Sequence, residues 1–227
     1  MNKLVEANKA AIVTASENIC GILATLITMV VNDKKTYLSL TKEGVYTGSY
    51  LEERLKTINA EFKAKAATYE PKLVAELDSI DAAGHALETS LELTDADLAS
   101  AMQILMATNC KIDMDTEAMI MDSFQGNQAA LRVIKSTFDR FERKSTTLDK
   151  MIFSIDEKMF FMRARVNPLI SEPSANRNEM FNLRNDLRSL CKLIGATVTE
   201  DQLSLGEQSE DMANDRLRKA MGLPPSN

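Results

Sequence analysis

This chain of 227 residues has no tryptophan, one histidine, three cysteines, five prolines and eight glycines. Each shortage excludes something. With His85 as the sole imidazole, a serine or cysteine triad has one base to use, and a helix-bundle di-iron centre lacks its second histidine. Cys20, Cys110 and Cys191 are odd in number, widely separated and set in apolar helical patterns. They read as buried thiols in a reducing compartment, not as a disulfide framework or zinc knuckle. Few glycines and prolines leave long stretches free of breakers. Glycine-rich phosphate loops, Cys-x-x-Cys pairs and nucleophile elbows are missing, so no residue is marked out as catalytic or cofactor-binding.

What the chain does have is hydrophobic residues at 44%, charged residues at 26% and thirteen methionines, a composition suited to a folded, helix-rich protein. The net charge of −6 is unevenly spread. Residues 70–119 hold eleven acids against Lys72 and Lys111, while 120–166 hold nine bases against six acids. Two segments of opposite charge suit packing against each other; an acidic face offered to a basic partner is the other use.

The strongest pattern runs from Ile120 to Val166. One position of a 3.5-residue repeat reads Phe124, Leu131, Phe138, Ser145, Ile152, Met159, Val166, and the other Ile120, Asn127, Ile134, Phe141, Leu148, Ile155, Met162. Such spacing draws an apolar stripe down one side of a helix, which must be buried. One helix of this length would extend about 70 Å at ~1.5 Å per residue. Ser145 and Asn127 are polar at seam sites, where such residues set register or oligomeric state.

Elsewhere, residues 3–32 predict a helix whose second half, Ile19 to Val31, is apolar nearly all round. Its uncharged interval of 15 residues between Glu17 and Asp33 is short of the ~20 a spanning helix needs, which favours burial in a bundle. Residues 33–48 break the helical period and predict either a small β-hairpin over 36–47 turning at Gly44 or a loop. Ser49 with Glu52 reads as a capping box, and helical spacing then continues to about residue 92. Pro71 requires a kink or a restart. Thr94 with Asp97 starts a further helix that ends near Asn109–Asp113. Asn167-Pro168 is expected to close the long element, and a helix over about 176–194 to stop at Gly195. Thr199 with Gln202 starts a short turn, and 210–221 another short helix.

The chain is therefore expected to be all-α: an elongated bundle with a long antiparallel hairpin, about 50–92 against 117–166. Residues 1–172 would form the main body and 173–227 short helices packed on it. Function follows from architecture alone. The preferred expectation is a non-enzymatic assembly component, cytoplasmic or within a particle such as a virion, with no secretory leader, that self-associates or joins a larger complex. Its contact residues would be the seam, together with Met102, Met106 and Met119, since methionine-rich surfaces adapt to partners, and a basic stripe of Arg177, Arg184 and Arg188. Little aromatic interleaving accompanies that stripe, so no nucleic acid is expected. Asp113, Asp115 and Glu117 read as acids favoured at a helix start rather than a calcium loop. Leu217, Met221 and Leu223 beside basic residues could form a docking tail. Two rival classes are a membrane-active protein releasing 19–31 and a metal-dependent helical enzyme built on Asp81, His85 and nearby acids such as Glu88.

Overall fold

In the computed structural model, residues 3–89, 96–171 and 173–206 are described, with the side chains of 173–177 left aside. The 210–221 helix, the docking tail, Thr94 and the Arg177 side chain lie outside the described residues. The described residues are helical, in nine elements: α1 (Lys3–Glu43), α2 (Gly48–Ala67), α3 (Glu70–Thr89), α4 (Ala96–Ala107), α5 (Met114–Ser123), α6 (Gln128–Arg140), α7 (Thr146–Met151), α8 (Ile155–Ser171) and α9 (Pro173–Leu193). The chain is all-α, as its composition predicts.

These helices distribute over two compact units. One takes residues up to Ala15, Asp78–Phe160 and Leu187–Val198; the other takes Ser16–Leu77, Phe161–Asp186 and residues from Thr199 onward.

The single helix expected over Ile120–Val166 does not exist. It is broken into α5, α6, α7 and α8, so the long arm of the proposed hairpin is absent. Five residues cap the helices around the first three breaks: Phe124, Asn127, Phe141, Ser145 and Ile152. All five are seam positions. Asn127 and Ser145 do not set a coiled-coil register; their side chains accept the Ala130 and Leu148 backbone N–H groups as N-caps. A short polar side chain at a helix start takes up an otherwise unpaired N–H, which is why Asn and Ser favour that place.

The breaks are held by tertiary bonds. Beyond α5, Gly126 adopts φ +84°, and a Cβ there would lie 1.9 Å from the Ile194 carbonyl oxygen. Only glycine permits that approach. After α6, the Arg143 N–H reaches the Phe138 carbonyl (2.9 Å) and the Glu142 N–H reaches Asp139 (3.1 Å). This is a Schellman closure with Glu142 in the left-handed region at φ +54°. The Arg143 guanidinium and the Ser145 hydroxyl then both donate to the Glu117 carboxylate on α5. Between α7 and α8, the fully buried Gln128 does the same service for the backbone. Its amide donates to the Met151 carbonyl (2.9 Å) and its oxygen accepts the Phe153 N–H (3.1 Å).

Within this unit α6 packs on α4 and α7, and α5 on α7. Leu98, Leu105, Ile120, Met121, Phe124, Leu131, Ile134, Phe138 and Leu148 form one buried cluster, with Met102, Phe141 and Ile152 packed against it. The apolar residues of the repeat from Ile120 to Ile152 thus fill or flank the core of this unit.

In the second unit Val30, Lys34 and Tyr37 of α1 and Leu55, Ile58 and Asn59 of α2 line one shallow cleft. The expected β-hairpin is instead the last part of α1. Thr36, Ser39 and Thr41 return their hydroxyls to backbone carbonyls three or four residues back, which lets polar residues sit inside a helix. Gly44, at φ +66°, follows the helix end, its usual place. The cap of α2 is Thr47, whose hydroxyl accepts the Tyr50 N–H, two residues before the Ser49 box expected from sequence. Pro71 marks a restart, lying in the first turn of α3. Pro168 does not stop α8, which continues to Ser171. The three residues beyond it include the buried Leu169 and Ile170, whose burial offsets the lost hydrogen bond. Arg165 of α8 bonds Asp186 and Glu179 of α9, each at 2.7 Å. Burial works against its charge, but those two carboxylates outweigh it and hold the guanidinium above its ordinary value. The capping pair at Thr199 and Gln202 forms reciprocally, and Gln202 also donates to Glu17.

Candidate functional site

The residues expected to make contacts divide sharply by position. Phe124, Leu131, Ile134, Phe138 and Leu148 are buried within the first unit; on α8, Ile155 and Met159 in its first-unit part and Met162 and Val166 in its second-unit part are buried too. Phe141 and Ile152 are half-buried. Met102 is packed on the core and touches the Thr137 hydroxyl. By contrast Met106 is 50% exposed and Met119 63% exposed, and the structure adds Met114 at 85% and Ile104 at 43%. These lie on α4 and α5, whose other faces carry the buried Leu98, Leu105, Ile120 and Met121. Asp113 caps α5, accepting the Thr116 N–H at 2.7 Å and its hydroxyl at 3.0 Å. Those bonds hold its carboxyl below the usual carboxylate range.

Of the basic stripe, Arg184 is engaged within its own unit, with the Leu203 carbonyl at 2.8 Å and Glu200 at 3.8 Å. Arg188 lines an open cleft of about 340 Å³, together with Lys192, Gln125 and residues 195–198. Gly195 stops α9 as expected, at φ +68°. The three cysteines are buried and form no disulfide, and burial pushes the Cys110 thiol up.

In the apolar stretch of α1, Ile19, Cys20, Leu23, Leu26 and Ile27 are buried, while Gly21, Thr25 and Thr28 form an exposed stripe. The helix is therefore not enclosed all round. It is long and apolar enough to cross a membrane by length and composition.

The histidine gathers more acids than its own helix supplies. Asp81 Oδ1 lies 3.4 Å from His85 Nε2, and Asp156 Oδ1, from the first turn of α8, lies 3.3 Å from the same nitrogen. On the other side of the ring Glu88 Oε2 is 3.8 Å from Nδ1. Two features bring α8 to α3 here. Glu88 Oε1 accepts the Ile155 N–H at 2.9 Å and the Arg132 guanidinium at 3.0 Å, and Gly84 leaves room for Ile155, whose Cγ1 stands 2.4 Å from where a Cβ would be. Asp81 and Glu88 were legible from helical spacing. Asp156 was not, because its approach depends on the break before Ile155.

Comparison with protein-family models, curated proteins and solved structures finds no match.

Proposed function

We propose that this protein is a non-enzymatic helical component that works by binding other proteins, further copies of itself included. The observation that carries this is the exposed apolar set Ile104, Met106, Met114 and Met119 on α4 and α5. Large apolar side chains left in water are favourable to bury, at roughly 25 cal/mol per Å². Unbranched thioethers fit partners of varied shape at little strain. The seam offers little to such a partner, since its apolar side chains are buried or half-buried. A cytoplasmic or particle-bound setting accords with three cysteines that form no disulfide.

The test is sedimentation equilibrium with the double variant Met114→Glu/Met119→Glu. Wild type is expected to associate with rising concentration, or with a co-purifying protein. The variant should weaken that association at least tenfold, equivalent to about 1.4 kcal/mol. Thermal stability should hardly move, because both side chains are exposed. A monomer at every concentration with no recovered partner contradicts the proposal.

A further inference from the structure

We infer that Asp81, His85 and Asp156 form a site for a divalent transition-metal cation of the zinc type, pinning the start of α8 to α3. The three side chains offer one ligand atom each, and these atoms lie within 4.8 Å of one another. Zinc bonds to imidazole nitrogen and carboxylate oxygen at ~2.0–2.1 Å, so the edges of its tetrahedron are about 3.3 Å. The two edges that meet at His85 Nε2 are 3.4 Å and 3.3 Å. An ion can therefore enter with small side-chain movement.

The donor set selects the metal class. One imidazole with two carboxylates suits zinc and its neighbours, whereas calcium and magnesium prefer all-oxygen shells with more ligands. Three protein ligands leave a fourth position for water. Glu88 stands on the Nδ1 side at 3.8 Å, where a carboxylate commonly orients a ligating histidine. Its other oxygen is anchored by Arg132 and the Ile155 N–H. Charge also balances. Asp81, Glu88 and Asp156 against Arg132 leave two negative charges around a neutral imidazole, which one dication cancels.

The positive end of α8 favours an acid in its first turn, and Asp156 there and Asp81 on α3 converge on one ring nitrogen. Asp81 Oδ1 is sealed from solvent, while Asp156 is 79% exposed, so the site is open on one side for ion entry. The inference is independent of the proposed contact function, because none of these residues belongs to the exposed methionine set.

Titration of the intact protein with Zn²⁺ against a chromophoric chelator tests it, with Co²⁺ as optical probe. One equivalent should bind, with the visible bands of four-coordinate Co²⁺ and no competition from excess Mg²⁺. His85→Gln should abolish binding, and Asp156→Asn, at an exposed position that folding tolerates, should weaken it at least tenfold. At one Zn²⁺ concentration the melting temperature should rise most for wild type, less for Asp156→Asn and not at all for His85→Gln. No uptake, uptake untouched by either substitution, or loss in only one of the two overturns the inference.

Discussion

Phe138→Ala is expected to destabilise the protein by about 3–5 kcal/mol, the range for truncating a fully buried phenylalanine. Phe138 is 1% exposed and sits in the cluster with Leu105, Leu131, Ile134 and Leu148. The loss combines the transfer free energy of the ring with the cavity left behind. Its concentration dependence carries the diagnostic information. Because the cluster belongs to one unit of one chain, the denaturant midpoint should fall by the same amount at micromolar and at tenfold higher protein. If the seam instead paired chain with chain, the loss on truncation would itself change with protein concentration through mass action.

Gln128→Leu should cost about 2–4 kcal/mol although the two side chains are similar in size. Gln128 is fully buried, and its amide satisfies the Met151 carbonyl and the Phe153 N–H across the α7–α8 break. Leucine leaves both backbone groups without that partner, at about 1–3 kcal/mol each. Gln128→Glu keeps an acceptor for Phe153 but no donor for Met151, so its loss should be distinct from that of leucine. Chemical denaturation gives the energies, and amide exchange at Phe153 should quicken in the leucine variant. Unchanged stability in Gln128→Leu would mean that the break is held by something else.

The fate of the 120–166 repeat explains which parts of the fold could be read from sequence. The repeat reported burial faithfully: nearly all its apolar members are buried or half-buried. It did not report continuity. Phe124, Phe141 and Ile152 turn inward as C-caps, and Asn127 and Ser145 as N-caps, so the linkers keep the 3.5-residue count of a helix that is not there. Gly126-Asn127 carried a local signal, a glycine followed by a favoured N-cap residue. The break after Arg140 carried almost none. Glu142 is an ordinary helix former, and its left-handed backbone is imposed by the Schellman closure and by the bonds of Arg143 and Ser145 to Glu117. Such long-range compensation has no sequence periodicity. The same holds for the end of α1, where helical hydroxyl bonding overrode the strand-like alternation of residues 37–40.

The histidine cluster divides in the same way. Asp81, His85 and Glu88 follow from three- and four-residue spacing on α3. Asp156 arrives only because Gly84 admits Ile155 and Glu88 holds its N–H. The contact residues Met106 and Met119 were legible as methionine-rich, but their exposure depends on which faces of α4 and α5 the core consumed.

Backbone ¹³C chemical shifts across residues 120–166 test the central claim most directly, that this repeat folds back as four short helices and buries its own seam. Helical shifts should cover 114–123, 128–140, 146–151 and 155 onward, with interruptions at 124–127, 141–145 and 152–154 and a left-handed signature at Glu142. Unbroken helical shifts from Ile120 to Val166 would contradict it, and would return the seam to a partner helix.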